Sequence, residues 1–362
     1  LLNPMTLLVA GGLLLFKYVS GVTEKLKEMS FEMQISITQS RQLLDTQLDI
    51  LTSHENQFAT LKDIQAIQTE FIGTSGKYYS AIQKGNDGVI VQIAEMGRAF
   101  GYGAGEAAKI HKTFSDLGAD DQLSAQLQGS MGLMSEMIGL SPQIVGKDLL
   151  DSSEIVYTYF AGMPGKAAEA AINVRKLGMS LKQAGSIAQK MLDIEGFMTD
   201  MYELYAMSGQ GIDFSKAFDL GLMGDVEGMT KEIMNNIGTT AEYNNMDYLT
   251  RTKIAKTLGM SMEELGKSVK MHEQISQFYG NERVALEENA DRLGDISKLN
   301  QQQIRQKLQD LQSTDRLAVA WDKIKGVFVK SLLPLVEAFA DGIDAISPLI
   351  DVVVGSLKVV GT

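Results

Sequence analysis

The chain of 362 residues has no cysteine, which excludes disulfide staples and thiolate metal ligation and leaves the redox compartment open. It has only five prolines and one tryptophan, and scarce proline favours uninterrupted helices. The three histidines, His54, His111 and His272, are remote from one another in sequence, and in "HENQF" Phe58 stands where a zinc helix needs its second histidine. No metal or other cofactor is expected. Basic charge is also short: 33 Lys and Arg face 45 Asp and Glu, a formal charge of −12. A nucleic-acid reader shows the opposite footprint, so no sequence-specific nucleic-acid binding is expected.

Strand-like alternation is scarce, and Val89 to Ile93 in "DGVIVQIAE" is the best example. With 44% hydrophobic residues the composition is that of a folded chain. The fold class expected is all-α: extended, with long amphipathic helices, helical hairpins and a coiled-coil-like C-terminal segment. Twenty methionines supply adaptable packing.

The chain opens at Leu1 without an initiator methionine, which implies a processed product or part of something longer. Residues 1–22 form an apolar segment, with twelve uncharged residues from Met5 to Phe16 but no basic region before them or small-residue cleavage site after them. A buried core helix and a segment that meets membrane at some stage both fit. Residues 23–72 lack glycine and proline and carry Leu26, Met29, Met33, Ile37, Leu44, Leu48, Leu51, Phe58 and Leu61, the pattern of a long amphipathic helix broken at most once. Unbroken, fifty residues would span about 75 Å. Residues 73–129 begin glycine-rich, and Gly73 to Gly105 reads as a linker or irregular patch.

Residues 130–280 repeat one phrase: "MIGLSPQIVG", "KLGMSLKQAG" and "TLGMSMEELG". Each predicts a helix end, a glycine at C′, and a serine N-cap opening the next helix. The junction residues are Gly178 with Ser180 and Gly259 with Ser261, and Gln183 and Glu264 complete capping boxes. The spacing suggests a helix-pair unit of about 40 residues, with divergent hairpins an equal alternative. Residues 281–330 continue as an amphipathic helix with Ile304, Leu308, Leu311, Asp315 and Ala318, and Trp321 anchors its junction with the last segment. Ile296 to Lys330 carries seven bases and three acids, a local reversal of the overall charge that reads mainly as a solvated helix face.

In residues 331–362, Leu332, Val336, Phe339, Ile343, Ile346, Ile350, Val353, Leu357 and Val360 recur at alternating steps of 4 and 3. That heptad seam faces a partner helix, and isoleucine at both a and d favours more than two strands. Pro334 and Pro348 fall at the outermost position; they break the backbone ladder and divide the segment into short helices, Ser347 capping the second. The segment carries Glu337, Asp341, Asp344 and Asp351, and no uncharged run in it approaches the roughly 20 residues of a membrane span. Self-association, as a trimer, and a buried hairpin within one chain are the two readings.

No catalytic constellation emerges. "GYGAGEAAK" lacks GxGxxG spacing, and "GMPGKAA" and "GTSGKYY" lack Walker spacing. "GLMSEM" is similar to the GLMQ phrase of lytic transglycosylases, but Ser135 replaces the glutamine, and Glu136 reads as a helix-surface glutamate. The chain is expected not to be an enzyme.

Leu317 to Lys358, "LAVAWDKIKGVFVKSLLPLVEAFADGIDAISPLIDVVVGSLK", resembles the Trp-then-LLP segment of phage tail tape measure proteins. "RKLGMSLKQAGSIAQKMLDIEG", "GLMGDVEGMTKEIMNNIG" and "AKTLGMSMEELGKSV" resemble stretches in those of contractile-tailed phages, and together these cover about half the chain. The resemblance implies a virion protein in the tail tube lumen or baseplate hub. Its length would set tube length, with tail tube and hub proteins as partners and release, with transient host-membrane contact, on infection. An α-helical pore-forming toxin is the competing reading, since long helices and apolar ends describe both.

Overall fold

The computed structural model describes residues 24, 26–31, 33–52, 59–74, 87–208 and 211–279. The apolar segment 1–22, His54, the basic stretch with Trp321, and the whole seam from Leu332 to Val360 with Pro334 and Pro348 lie outside the described residues. Every regular element among the described residues is helical, and the chain is all-α. It divides into two compact units, one holding the described residues up to Val91 and the other those from Gln92 onward.

In the first unit the long helix expected over 23–72, broken at most once, is interrupted twice among the described residues, at 33–36 and at 59–60. Helices α1 (Ile37–Thr52) and α2 (Leu61–Thr74) are separate and pack side by side, so they cannot be one rod. The reason is local. Ser36 and Gln39 form reciprocal bonds of 2.9 and 3.2 Å at the start of α1, and Thr60 and Asp63 do the same at 3.0 and 3.2 Å before α2. Each pair satisfies amide groups that a continuing helix would have used. Gln34, at φ 54°, turns the chain ahead of α1. Folding back buries Leu43, Leu44, Leu48 and Leu51 on α1 and Ile64, Ile67 and Phe71 on α2.

The glycine-rich stretch is corrected in part, because α3 (Asp87–Phe100) occupies its middle and Val89–Ile93 is helical. Ile90, Ile93, Ala94 and Phe100 are buried, at i, i+3, i+4 and i+10 on one helix face, and that pattern outweighs a short alternating run.

The second unit continues with α4 (Ala104–Asp116), α5 (Asp121–Met137), α6 (Pro142–Asp151), α7 (Ser153–Phe160) and α8 (Pro164–Lys176). There follow α9 (Leu181–Met191), α10 (Ile194–Met207), α11 (Ser215–Leu222), α12 (Val226–Ile237), α13 (Thr240–Asn245), α14 (Tyr248–Leu258) and α15 (Met262–Tyr279). Helix α8 is the hub, touching α5, α6, α7, α9, α12 and α15. Its composition explains this: Ala167, Ala168, Ala170 and Ala171 are buried with Ile172 and Val174, and methyl side chains let neighbouring axes come close from several directions. Interior glycines do the same elsewhere. A Cβ on Gly132 of α5 would stand 2.5 Å from the Phe100 ring, and one on Gly185 of α9 would meet Ile155 at the same distance.

Four junctions share one geometry. Gly139, Gly178, Gly224 and Gly259 have φ of 65, 83, 76 and 69°. Beyond each, the next amide reaches back to the carbonyl five residues earlier: Leu140 to Ser135, Met179 to Val174, Asp225 to Leu220 and Met260 to Ala255, at 2.8 to 3.2 Å. This is the Schellman ending, which needs a left-handed residue at C′ and hence glycine.

Candidate functional site

The sequence-derived junction residues are placed as helix stops and starts. Ser180 caps α9 with Gln183 in a reciprocal box, and Ser261 and Glu264 bond reciprocally at 2.9 and 3.2 Å ahead of α15. Gly178 does more than turn: a Cβ there would overlap the Ser268 carbonyl oxygen and stand 2.8 Å from the His272 amide of α15. Gly259 has only the flexible stem of Lys190 near it, at 3.1 Å.

Sequence reasoning missed the ionic centres, because their partners are far apart in the chain. Asp148 on α6, with its side chain 3% exposed, accepts from Arg175 Nε at 2.9 Å and from the Leu181 amide at 2.8 Å. One carboxylate thus ties α6 to the end of α8 and the first turn of α9, where a helix N-terminus favours negative charge. Burial pushes its pKa up, opposed by Arg175 and the Leu181 amide. Lys253 on α14, 8% exposed, donates to Asp200 at 2.6 Å and Glu203 at 2.5 Å on α10. Burial pushes its pKa down, but the hydrogen bonds and negative charges of the two carboxylates together outweigh it and hold the pKa above the ordinary value. A lysine nucleophile needs the opposite shift. His111, fully buried on α4, lies 3.2 Å from Asp121 Oδ1 at the start of α5.

Among the described residues the other carboxyl raised by burial is Glu227 on α12, which accepts from Asn173 Nδ2 of α8 at 2.9 Å. Raised carboxyls are what general acids require. Asp148 and Glu227 nevertheless line neither of two open clefts. One, of about 710 Å³, lies beside Phe31 and Ile37; the other, of about 570 Å³, is formed by Ser208, Asn235, Asn236, Glu242 and Asp247 among others. Glu242 and Asp247 are held below their ordinary values by the backbone amides of Thr239 and Thr250, because both cap helices. Acceptors occupied in this way are poor proton carriers.

Residues in three of the motif lookalikes take part in helix bonds or caps, and "GTSGKYY" beyond Thr74 lies outside the described residues. Ser135 bonds the Met131 carbonyl at 2.6 Å, and Lys166 of "GMPGKAA" pairs with Glu169 at 2.9 Å. Gly103 is the N-cap of α4. Among the described residues no group of three metal-ligating side chains converges, and no helix is long and apolar enough to cross a membrane.

A second missed feature is a pair of like turns. Asp193-Ile194-Glu195-Gly196 and Asp225-Val226-Glu227-Gly228 start α10 and α12 with identical cap angles, φ −80° and ψ 78°. Each aspartate accepts from the glycine amide three residues on, at 3.3 and 2.8 Å. The shared D-[IV]-E-G spelling is legible in the sequence once the two turns are set side by side.

No family model matches the chain, and neither the curated proteins nor the solved structures contain a match.

Proposed function

We propose that this chain is a structural protein of a phage tail, a tape measure protein or the hub-proximal part of one. The observation that carries the reading is the order of the phrases: the LGMS-type junctions around Gly178 and Gly259, then the Trp321 to Leu333 stretch, then the heptad seam. The all-helical architecture supports it, since a helix converts residue count into length at about 1.5 Å per residue and a length gauge requires no reactive centre. The polar groups of the second unit support it too, because the carboxylates and lysines described above are spent on joining helices. An acidic chain in a tube lumen also avoids adhering to passing DNA phosphates.

In this reading the seam from Leu332 to Val360 associates copies side by side, and tail tube and baseplate hub proteins surround them. The test is location. Cryo-electron microscopy of purified particles, with peptide mass spectrometry of isolated tails, should place the chain in the tube lumen or its tip. Absence from particles, together with lysis of liposomes by the isolated soluble chain, would overturn the assignment in favour of a pore-forming protein.

A further inference from the structure

Helices α4 and α5 meet along a polar seam. At its outer end His111 of α4, fully buried, lies 3.2 Å from Asp121 Oδ1, and the Asp121 side chain is 38% exposed, so the seam reaches solvent there. Two turns further along α5, Gln128 Nε2 donates to the Ala107 carbonyl of α4 at 3.2 Å. Ser124 sits between these two bridges, three residues after Asp121 and four before Gln128, a spacing that places all three on one side of α5. Ser124 and Gln128 are both fully buried.

The seam's own groups leave it short of donors. Ser124 Oγ and Gln128 Oε1 have no hydrogen-bond partner among the described residues. Other buried hydroxyls of this unit turn back onto their own helix: Thr113 donates to the Lys109 carbonyl at 3.0 Å, Ser135 to Met131 at 2.6 Å and Thr230 to Val226 at 2.7 Å. Ser124 does not, and its oxygen is left for the interface. Two buried oxygens one helical turn apart require a group that donates twice. An enclosed cation is disfavoured, because neither oxygen carries a charge to balance it. The residues beside the two oxygens, Ala107 and Ala108 on α4 and Ala125 on α5, are small and buried, so the enclosure suits a small neutral molecule. Water has two hydrogens to give and is held by two to four polar partners.

We infer that the α4–α5 seam is a binding site for one internal water, which donates to Ser124 Oγ and Gln128 Oε1 and joins the His111–Asp121 bridge to the Gln128–Ala107 bridge in a continuous polar contact. Side chains one turn apart have Cβ atoms about 5–6 Å from each other, a span that one water covers with two bonds of ordinary length. The site rests on buried atoms of the second unit alone, so it stands or falls separately from the tail assignment.

The test uses the full chain. A crystal structure should show a water within about 3.2 Å of both oxygens, and Gln128→Met, which leaves only one of them, should abolish it. Urea unfolding of Ser124→Ala, Gln128→Met and the double variant gives a second reading in solution. Ser124→Ala should lower the midpoint in the wild-type background and shift it less than about half as far once Gln128→Met has removed the bridge, the helix propensity of alanine being common to both. A seam without water, either oxygen turned onto a protein donor, a water that persists in Gln128→Met, or equal shifts in the two backgrounds would each overturn the inference.

Discussion

Gly178 lies directly against the backbone of Ser268, ninety residues further along the chain, with no room for a side chain between them. The glycine ends α8 in a left-handed turn, φ 83°, and lets α15 close over that turn. One position therefore carries two separable demands. Gly162 carries only the first, at φ 73° with nothing within 4 Å of a built Cβ. Gly162→Ala should cost about 1 kcal/mol, the left-handed penalty alone. Gly178→Ala should cost more than about 3 kcal/mol because backbone must also move. Urea unfolding of both variants checks this, and equal midpoints would contradict the close approach of α15.

Asp148 accepts from Arg175, the Leu181 amide and, at 3.5 Å, the Ser152 hydroxyl while almost wholly buried, so removing it strands a guanidinium and a helix-terminal amide together. Asp148→Ala should destabilise the second unit by about 3–5 kcal/mol. Asp148→Asn, which keeps an acceptor, should cost less. Chemical denaturation followed by circular dichroism distinguishes them; an alanine variant as stable as wild type would deny the three-helix tie.

The Lys253 hydrogen bond holds the Asp200 carboxyl below its ordinary value of 3.8, with Lys256 and Lys190 at 3.6 and 3.7 Å adding to the effect. A carboxyl depressed in the folded state contributes stability that is complete above the unfolded value and is lost as pH falls through the folded one. Lys253→Met should cost about 1–3 kcal/mol at neutral pH. Below the ordinary value the difference from wild type should shrink as Asp200 takes up its proton. Unfolding curves across acidic pH measure this, and a difference of constant size would exclude the linkage.

In the first unit, Gln47 Nε2 donates to Gln68 Oε1 at 2.7 Å inside the α1 and α2 contact. Gln47→Leu should cost about 1–3 kcal/mol by leaving Gln68 unpaired, and adding Gln68→Leu should recover most of that. A double-mutant cycle reads the coupling directly; strict additivity would show that the two amides do not depend on each other.

The seam proposal has its own measurement. Sedimentation velocity of the full chain should show a trimer, and Ile343→Asp with Ile350→Asp should reduce it to monomer, since a charge at successive a positions is costly to bury. A wild-type chain that stays monomeric at high concentration would remove self-association from the proposed function.

Local chemistry was readable without coordinates. The absence of strands among the described residues followed from hydrophobic spacing, and the stops at Gly178 and Gly259 with the starts at Ser180 and Ser261 followed from turn residues whose bonds close within a few positions. The same rule, applied to Ser36 with Gln39 and Thr60 with Asp63, marks two breaks in 23–72, where the expectation allowed one. The amino-acid sequence alone determined the helical class and the helix ends at the glycine–serine junctions, because capping and propensity act over three or four residues. Only the tertiary structure decided that Asp148 meets Arg175, that Gly178 receives α15, and that Phe197, Met201 and Leu204 of α10 are buried while Ile194 and Tyr202 beside them stay exposed. Those outcomes depend on which distant helices arrive at each face, and burial, charge pairing and close approach have no value until they do.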